Sequence, residues 1–465
     1  MRQRVTTRRQ EPTAAATAAR YDAARAQVQR QLTGSREPVR LGKRTSNLFR
    51  PRGRADRELD VGAFSGVLDV DPDAGTAEVL GMTTYEDLVA ALLPHGVMPL
   101  VVPQLKTITI GGAVAGLGIE STSFRNGLPH ESVLEMDILT GSGEVVLARP
   151  DNEHAELFWA FPNSYGTLGY ALRLRIEVEP VRPYVALRHV RYDSPAACVA
   201  DLEQASREGE LDDEHVDFLD ATAFSLDELY ITTGTFTDSA PYTSDYTGQD
   251  IYYRSIQRRE RDYLTVHDYL WRWDTDWFWC SRAFGAQRPL IRRLWPRRWL
   301  RSDVYWKFVA FEHRFGVKRR IDRLRRRRQT EMIVQDVEIP ADRSAAFLAY
   351  LFDDVGLAPV WLCPLQQRAH APWDLYPLEP GVVYINFGFW GGVQVAPGEA
   401  EGDRDRRVER AVAEHGGRKS LYSTAYYPRE EFWELYGGNR YWDVKRRYDP
   451  DERLLDLYEK CVRRR

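Results

Sequence analysis

The sequence predicts an α+β protein of two domains, on three observations. From Phe64 to Pro180, short alternating apolar segments pair across turn-forming residues as hairpins, with single helices set between them. That rhythm breaks at residues 180–183, and beyond it strands and helices alternate to about residue 428. The chain of 465 residues is too long for one compact domain, and its 43% hydrophobic and 12% aromatic content is ample for two cores.

Taken in order, residues 1–38 are rich in Arg, Ala and Gln and read as a frayed leader followed by a helix over 15–32. Residues 39–183 make the first domain. It opens with LGKRTSNLFRPR, where a small polar triplet, Thr45-Ser46-Asn47, stands between Arg44 and Arg50. GVLDVDPDAGTAEVLG predicts a hairpin turned at Pro72 to Gly75. A helix over 84–95 follows, with Thr83 or Thr84 as N-cap, Glu86 and Asp87 in the first turn and Gly96 at its end. SVLEMDILTGSGEVVLA predicts a second hairpin turned at Gly141-Ser142-Gly143, and AELFWAFPNSYGTLGYALRLRIEVEP a helix, a glycine turn and a strand.

Between those hairpins lies VVPQLKTITIGGAVAGLGIESTSFRNG, which packs Gly111, Gly112, Gly116 and Gly118 into eight residues. Glycines at that density let the backbone take positive φ and let a ligand touch the main chain, as in loops whose N–H groups cradle a pyrophosphate. The spacing is GGxxxGxG, not the GxGxxG that opens a helix after a strand, so this is not the doubly wound dinucleotide fingerprint.

Residues 184–428 make the second domain, with strands over 185–192, 331–337 and 382–389 and helices over 196–207 and 341–353. Its sheet is expected to roof a site on the first domain. Inside it, WRWDTDWFW (271–279) and RPLIRRLWPRRWL (288–300) interleave Trp with Arg, and VKRRIDRLRRRRQ (317–329) adds seven arginines. Three readings stay open: a solvated basic face with Trp feet in the core, contact with anionic lipid, or nucleic-acid binding, for which no accompanying motif is present. Residues 429–465 read as helices returning to the first domain, the last a surface helix from Asp451.

Composition narrows the class. A net charge of −4 argues against a polycation that seeks nucleic acid. Only 7 of the 64 basic residues are lysine, a skew typical of GC-rich genomes that points to a bacterial source. Cys198, Cys280, Cys363 and Cys461 are widely spaced, which predicts reduced packing cysteines and neither disulfides nor a metal site. No apolar run approaches the roughly 20 residues that span a bilayer, so the expectation is a cytoplasmic protein, peripheral at most to the inner face of the membrane.

Together, the Thr-Ser-Asn loop, PQLKTITIGGAVAGLGIESTS, the Gly-Ser-Gly hairpin and LFWAFPNSYGTLG resemble the FAD-binding domain of the vanillyl-alcohol oxidase (PCMH-type) family. The likeness is closest to its sterol side-chain reductase branch and extends from about Leu41 to Cys461. GLGIES at 116–121, YGTLGY at 165–170, VWLCP at 360–364 and REEFWE at 429–434 carry it beyond the glycines. The resemblance implies a two-domain PCMH-type fold with a substrate-binding cap. It places Thr45, Ser46, Asn47, Gly111, Gly112, Gly116 and Gly118 at the FAD pyrophosphate, and counts Pro103 among the cofactor-binding residues. It places Ile119, Glu120, Ser121 and Ser123 beside the ribityl chain and the ring, and gives Gly166, Thr167 and Gly169 a later backbone contact. Neither RTSNL nor VVPQL offers the His or Cys that anchors FAD covalently in some members, which implies non-covalent FAD. Where other branches carry a lysine in the strand before the C-terminal helix, this sequence reads LYSTAYY (421–427); Lys419 and Lys445 do not match that position.

By the same resemblance, the activity is reduction of an isolated C=C in a lipid, with NADPH as co-substrate. A flavin supplies hydride to one carbon and a positioned acid protonates the other; the candidates are Tyr422, Tyr426 and Glu120. The substrate expected in a GC-rich bacterium is a methylene-branched acyl chain of a phospholipid, reduced to a methyl branch after a partner methyltransferase has acted on it. Alternatives are a sterol side-chain reductase, an FAD-dependent alcohol or sugar oxidase or dehydrogenase, and a peripheral membrane protein that holds FAD structurally.

Overall fold

The structure is a computed structural model that describes residues 14–43, 49, 57–315, 330–369, 371–395, 398–400 and 402–463. A leading helix, α1 (Ala14–Thr33), buries Val28 and Leu32 beside Leu139, Tyr170 and Leu172. The first sheet is built from strands β1 (Val67–Asp71), β2 (Thr76–Leu80), β3 (Val97–Pro99), β4 (Val133–Leu139), β5 (Val145–Ala148) and β6 (Tyr170–Pro180). Its order is β1-β2-β6-β4-β5, with β3 on β6, and every pairing is antiparallel. In β6 the alternation is explicit: Leu172, Leu174 and Ile176 are fully buried, while Arg173 turns to the other face and pairs with Glu78, Glu135 and Asp137.

Helix α2 (Tyr85–Leu92) follows from its caps: Thr84 Oγ1 accepts from Asp87 N, and a further 3-10 turn ends at Gly96, whose φ is 73°. Its buried face is Tyr85, Leu88, Val89 and Leu92. The glycine stretch departs from the expected loop. Residues Ile110–Gly116 form a short helix, α3, capped by Thr109 Oγ1 on Gly112 N, and none of the four glycines has positive φ; Leu117, at 65°, makes the turn out.

At Pro180 the chain leaves the first sheet and at Tyr184 enters a second. This contains β7 (Tyr184–Tyr192), β8 (Phe218–Ser225), β9 (Glu228–Thr237), β10 (Arg261–Thr265), β11 (Thr330–Pro340), β12 (Val360–Leu365), β13 (Tyr384–Gln394) and β14 (Arg418–Lys419). The order β10-β7-β9-β8-β12-β13-β11-β14 is again wholly antiparallel. Helices α4 (Pro195–Glu208) and α7 (Ala341–Tyr350) share a core with one face of this sheet; between them in sequence come α5 (Pro289–Leu294) and α6 (Ser302–Phe315). The other face shares a continuous core with the first sheet, so the two halves enclose a common interior.

Two expectations need correction. LYSTAYY is not a strand: β14 ends at Lys419, and residues 420–428 are irregular. Residues 451–456 are non-helical, and the last helix, Leu457–Cys461, buries Leu457, Tyr458 and Cys461 instead of lying on the surface. The C-terminal part does return to the first sheet: Lys445 Nζ donates to Thr167 O at 2.8 Å and to Asp449 at 2.6 Å, and Ser142 N donates to Tyr448 O. None of the four cysteines is in a disulfide among the described residues, and no helix among them is long and apolar enough to cross a membrane.

Candidate active site

A cavity of about 570 Å³ lies in the shared interior, within the range of ligand sites. One wall is main chain. Gly111, Gly112, Gly116, Gly118, Gly166 and Gly169 all line it, with Pro103 and Ile119 beside them. The helix glycines are needed for close approach: a Cβ on Gly111 would lie 2.7 Å from Gly81 O, and one on Gly116 would lie 3.1 Å from the Tyr165 ring. Gly166 and Gly169 do turn, with φ of 77° and 141°, and a Cβ on Gly169 would lie 2.7 Å from Leu139 O. Lys43 and, from the returning C-terminus, Lys460 add positive charge to the rim.

Another part of the lining is aromatic. Trp277 and Phe278 come from the WRWDTDWFW segment, Trp361 from β12, Trp390 from β13, and Phe49 stacks on Trp277 at 5.5 Å. Set into this wall are two carboxyls two residues apart on β11, Asp336 and Glu338, which the strand's period of two places on one face. Tyr422 joins them: its hydroxyl donates to Asp336 Oδ2 at 2.5 Å and accepts from Trp390 Nε1 at 3.1 Å. Burial lifts Asp336 from 3.8 to about 7, against hydrogen bonds from Tyr422 and Asn386 that lower it. Glu338 is lifted well above its ordinary range by burial and then by the charge of Asp336, and it accepts from the Tyr376 hydroxyl.

Of the residues expected at this site, Thr45, Ser46 and Asn47 lie outside the described residues, although Lys43 and Phe49 on either side both line the cavity. The glycines, Pro103, Ile119 and Tyr422 are brought together as above. Glu120, Ser121, Ser123 and Thr167 are not on the cavity wall. Glu120 pairs with Arg272 at 3.1 Å, Ser121 Oγ bonds Glu120 and Tyr269, and Ser123 Oγ accepts from Glu120 N. Their main chain ties the halves together instead, Ser121 O accepting from Leu219 N and Ser123 O from Gln366 N. Thr167 Oγ1 donates to Ser164 O. Tyr426 sits away from the cavity under the Arg406 guanidinium at 4.6 Å, with its N–H on Glu409, so it cannot deliver a proton there. Lys419, fully buried, is held by Glu409 and Thr424 O.

Asp336, Glu338 and Gln104 were missed from sequence. A carboxyl at alternate positions of a buried strand, as in IVQDVEIP, is the one signal that could have raised the first two.

The family described as FAD binding domain matches residues 26–149. These residues belong to an FAD-binding domain of the PCMH type. The cavity fits that cofactor: glycine main chain replaces side chains along one wall, and Gln104, whose buried Nε2 has no hydrogen-bond partner among the described residues, lines it. Over most of its length the chain is similar to Delta(24)-sterol reductases. The human protein is 27% identical over 419 residues, covering 85% of this chain and 76% of its own; that of Arabidopsis thaliana is 24% identical over 447 residues, covering 88% and 77%. A cytokinin dehydrogenase of Oryza sativa subsp. japonica is 31% identical over 136 residues, 29% of this chain and 24% of its own. With the FAD-binding domain and relatives of this kind, the chain is an FAD-dependent oxidoreductase.

The domain's seat can be tested directly. Gly111→Ala forces α3 off Gly81 and towards the cavity, at a cost of about 1–3 kcal/mol. The variant is expected to purify with at least tenfold less yellow flavin per chain; full flavin content would show that the close approach is not needed.

Proposed function

We propose that the protein reduces an isolated C=C of a lipid with electrons from NADPH, and that its substrate is a methylene-branched acyl chain of a phospholipid. The observation that carries the reductase reading is the acid set into an apolar wall: Tyr422 on Asp336, among Trp277, Phe278, Trp361 and Trp390. FAD, when bound, supplies the hydride to one alkene carbon. The chain supplies the rest. The aromatic wall accepts hydrocarbon and excludes water. Tyr422 Oη holds the proton for the second carbon, and when Asp336 is protonated it can donate to Tyr422 Oη, freeing the phenolic proton for transfer.

The acyl substrate rests on the arginine-heavy composition, since GC-rich bacteria seldom make sterols. In that setting a methyltransferase acting on the same chain supplies the methylene. The similarity to Delta(24)-sterol reductases favours the second reading, a sterol side chain.

The test is anaerobic. NADPH should bleach the purified protein, and the flavin should then be reoxidised by a methylene-acyl phospholipid. Reoxidation by a side-chain-unsaturated sterol alone would move the substrate to the second reading. Reoxidation by neither alkene overturns the reductase, and failure to bleach removes NADPH as donor.

A further inference from the structure

The two Trp/Arg segments have different fates. WRWDTDWFW is interior: Trp271, Trp273, Trp277, Phe278 and Trp279 are buried, and so is Arg272 among them, which corrects the membrane-facing reading for that segment. The second segment is not. Residues 277–302 contain seven arginines and no Asp or Glu. Three of the seven tie it to the body: Arg292 is buried on Asp276 at 2.7 Å and on Gly248 O, Arg301 pairs with Glu86 at 2.7 Å, and Arg297 reaches Asp245 at 3.4 Å. Arg282, Arg288, Arg293 and Arg298 stand exposed, with no carboxylate within ion-pair distance among the described residues. Between them project apolar side chains: Leu290 is 78% and Leu294 84% exposed, with Trp299 at 48% and, across from Trp295, Phe308 at 44%. Beside this face is a second cavity, of about 370 Å³, lined by Arg254, Arg258 and Arg282.

We propose that this face, α5 and the turns flanking it, docks the protein on an anionic lipid surface. Leu290, Leu294 and Trp299 enter the headgroup boundary, and the arginines meet lipid phosphates. Charge decides the occupant: a rigidly pinned, acid-free segment with protruding leucines complements a negatively charged interface, whereas a second copy would set arginine against arginine. In the chain this face follows directly on Trp277 and Phe278, which line the active-site cavity. This deepens the lipid-reductase reading, but its test does not depend on turnover.

The experiment is co-sedimentation of the full chain with vesicles of phosphatidylcholine alone or with phosphatidylglycerol added. Binding is expected to the anionic vesicles only and to weaken with salt. Leu290→Ser with Leu294→Ser should cut it at least tenfold. Arg288, Arg293 and Arg298 together changed to Gln should cut it about a hundredfold, near fivefold per arginine. Both variants should keep the wild-type circular dichroism and, with substrate dispersed in detergent, the wild-type turnover. Wild-type binding by the leucine variant overturns the proposal. So does a wild-type dimer that ignores vesicles and becomes monomeric in that variant, since the face would then be a self-interface. A protein that binds vesicles as described yet reduces no alkene would sink the function and leave the docking surface standing.

Discussion

Tyr422→Phe is expected to slow alkene-driven reoxidation of the flavin by about 10²–10⁴-fold in single turnover, while bleaching by NADPH stays within twofold of wild type. The split between the two half-reactions follows from position: Tyr422 belongs to the aromatic part of the cavity lining, which accepts the hydrocarbon. Burial and the charge of Asp336 hold its phenol far above the ordinary tyrosine range, so it works as a proton donor only if its partner changes state. Asp336 can do that near neutrality, since burial lifts it to about 7. Below that value it is protonated and can donate to Tyr422; above it, the carboxylate retains the phenolic proton. The rate of alkene reduction should therefore fall as pH rises through about 7, and Asp336→Asn should remove the inflection. A pH-independent wild-type rate, or a Phe variant as fast as wild type, would falsify the relay. Stability carries the same sign. Between 3.8 and about 7 the folded chain keeps a proton that the unfolded chain releases, so this group costs stability increasingly as pH rises across that window.

What could be read in the sequence was set by local chemistry. The hairpins at 67–80 and 133–148 follow from alternation and turn residues, and α2 from Thr84, its acidic first turn and Gly96. The glycine stretch announced a cofactor wall, but its glycines serve contact with Gly81 and Tyr165 more than turning, because what they meet is distant in the chain. Asp336 and Glu338 were hidden for the same reason. They become a site only when β11 is set against Tyr422, 86 residues later, and against the wall from β12 and β13. Trp and Arg in alternation gave no sign of which segment faces inward. WRWDTDWFW carries Arg272, which meets two carboxylates in the core; of the later segment's arginines only Arg292 is buried on a carboxylate, Asp276.

That buried arginine carries the largest expected effect on stability. Arg272 has no exposed side-chain surface, pairs with Glu120 at 3.1 Å and Asp220 at 2.8 Å, and lies 4.0 Å over the Tyr269 ring. Glu120 follows the glycine stretch, Asp220 sits on β8, and Arg272 comes from WRWDTDWFW, between β10 and β11, so the triad joins both halves of the molecule. Burial pushes both carboxyls up, and the charge of Arg272 is the main influence that opposes it. Arg272→Met removes that cation and leaves two acids in an apolar interior, which is expected to cost about 3–5 kcal/mol in urea unfolding. Adding Glu120→Gln and Asp220→Asn should return much of the loss, because neutral amides need no counter-charge. A single variant as stable as wild type would mean that water reaches the triad, and a triple variant no better than the single would place the loss in the Tyr269 stack instead.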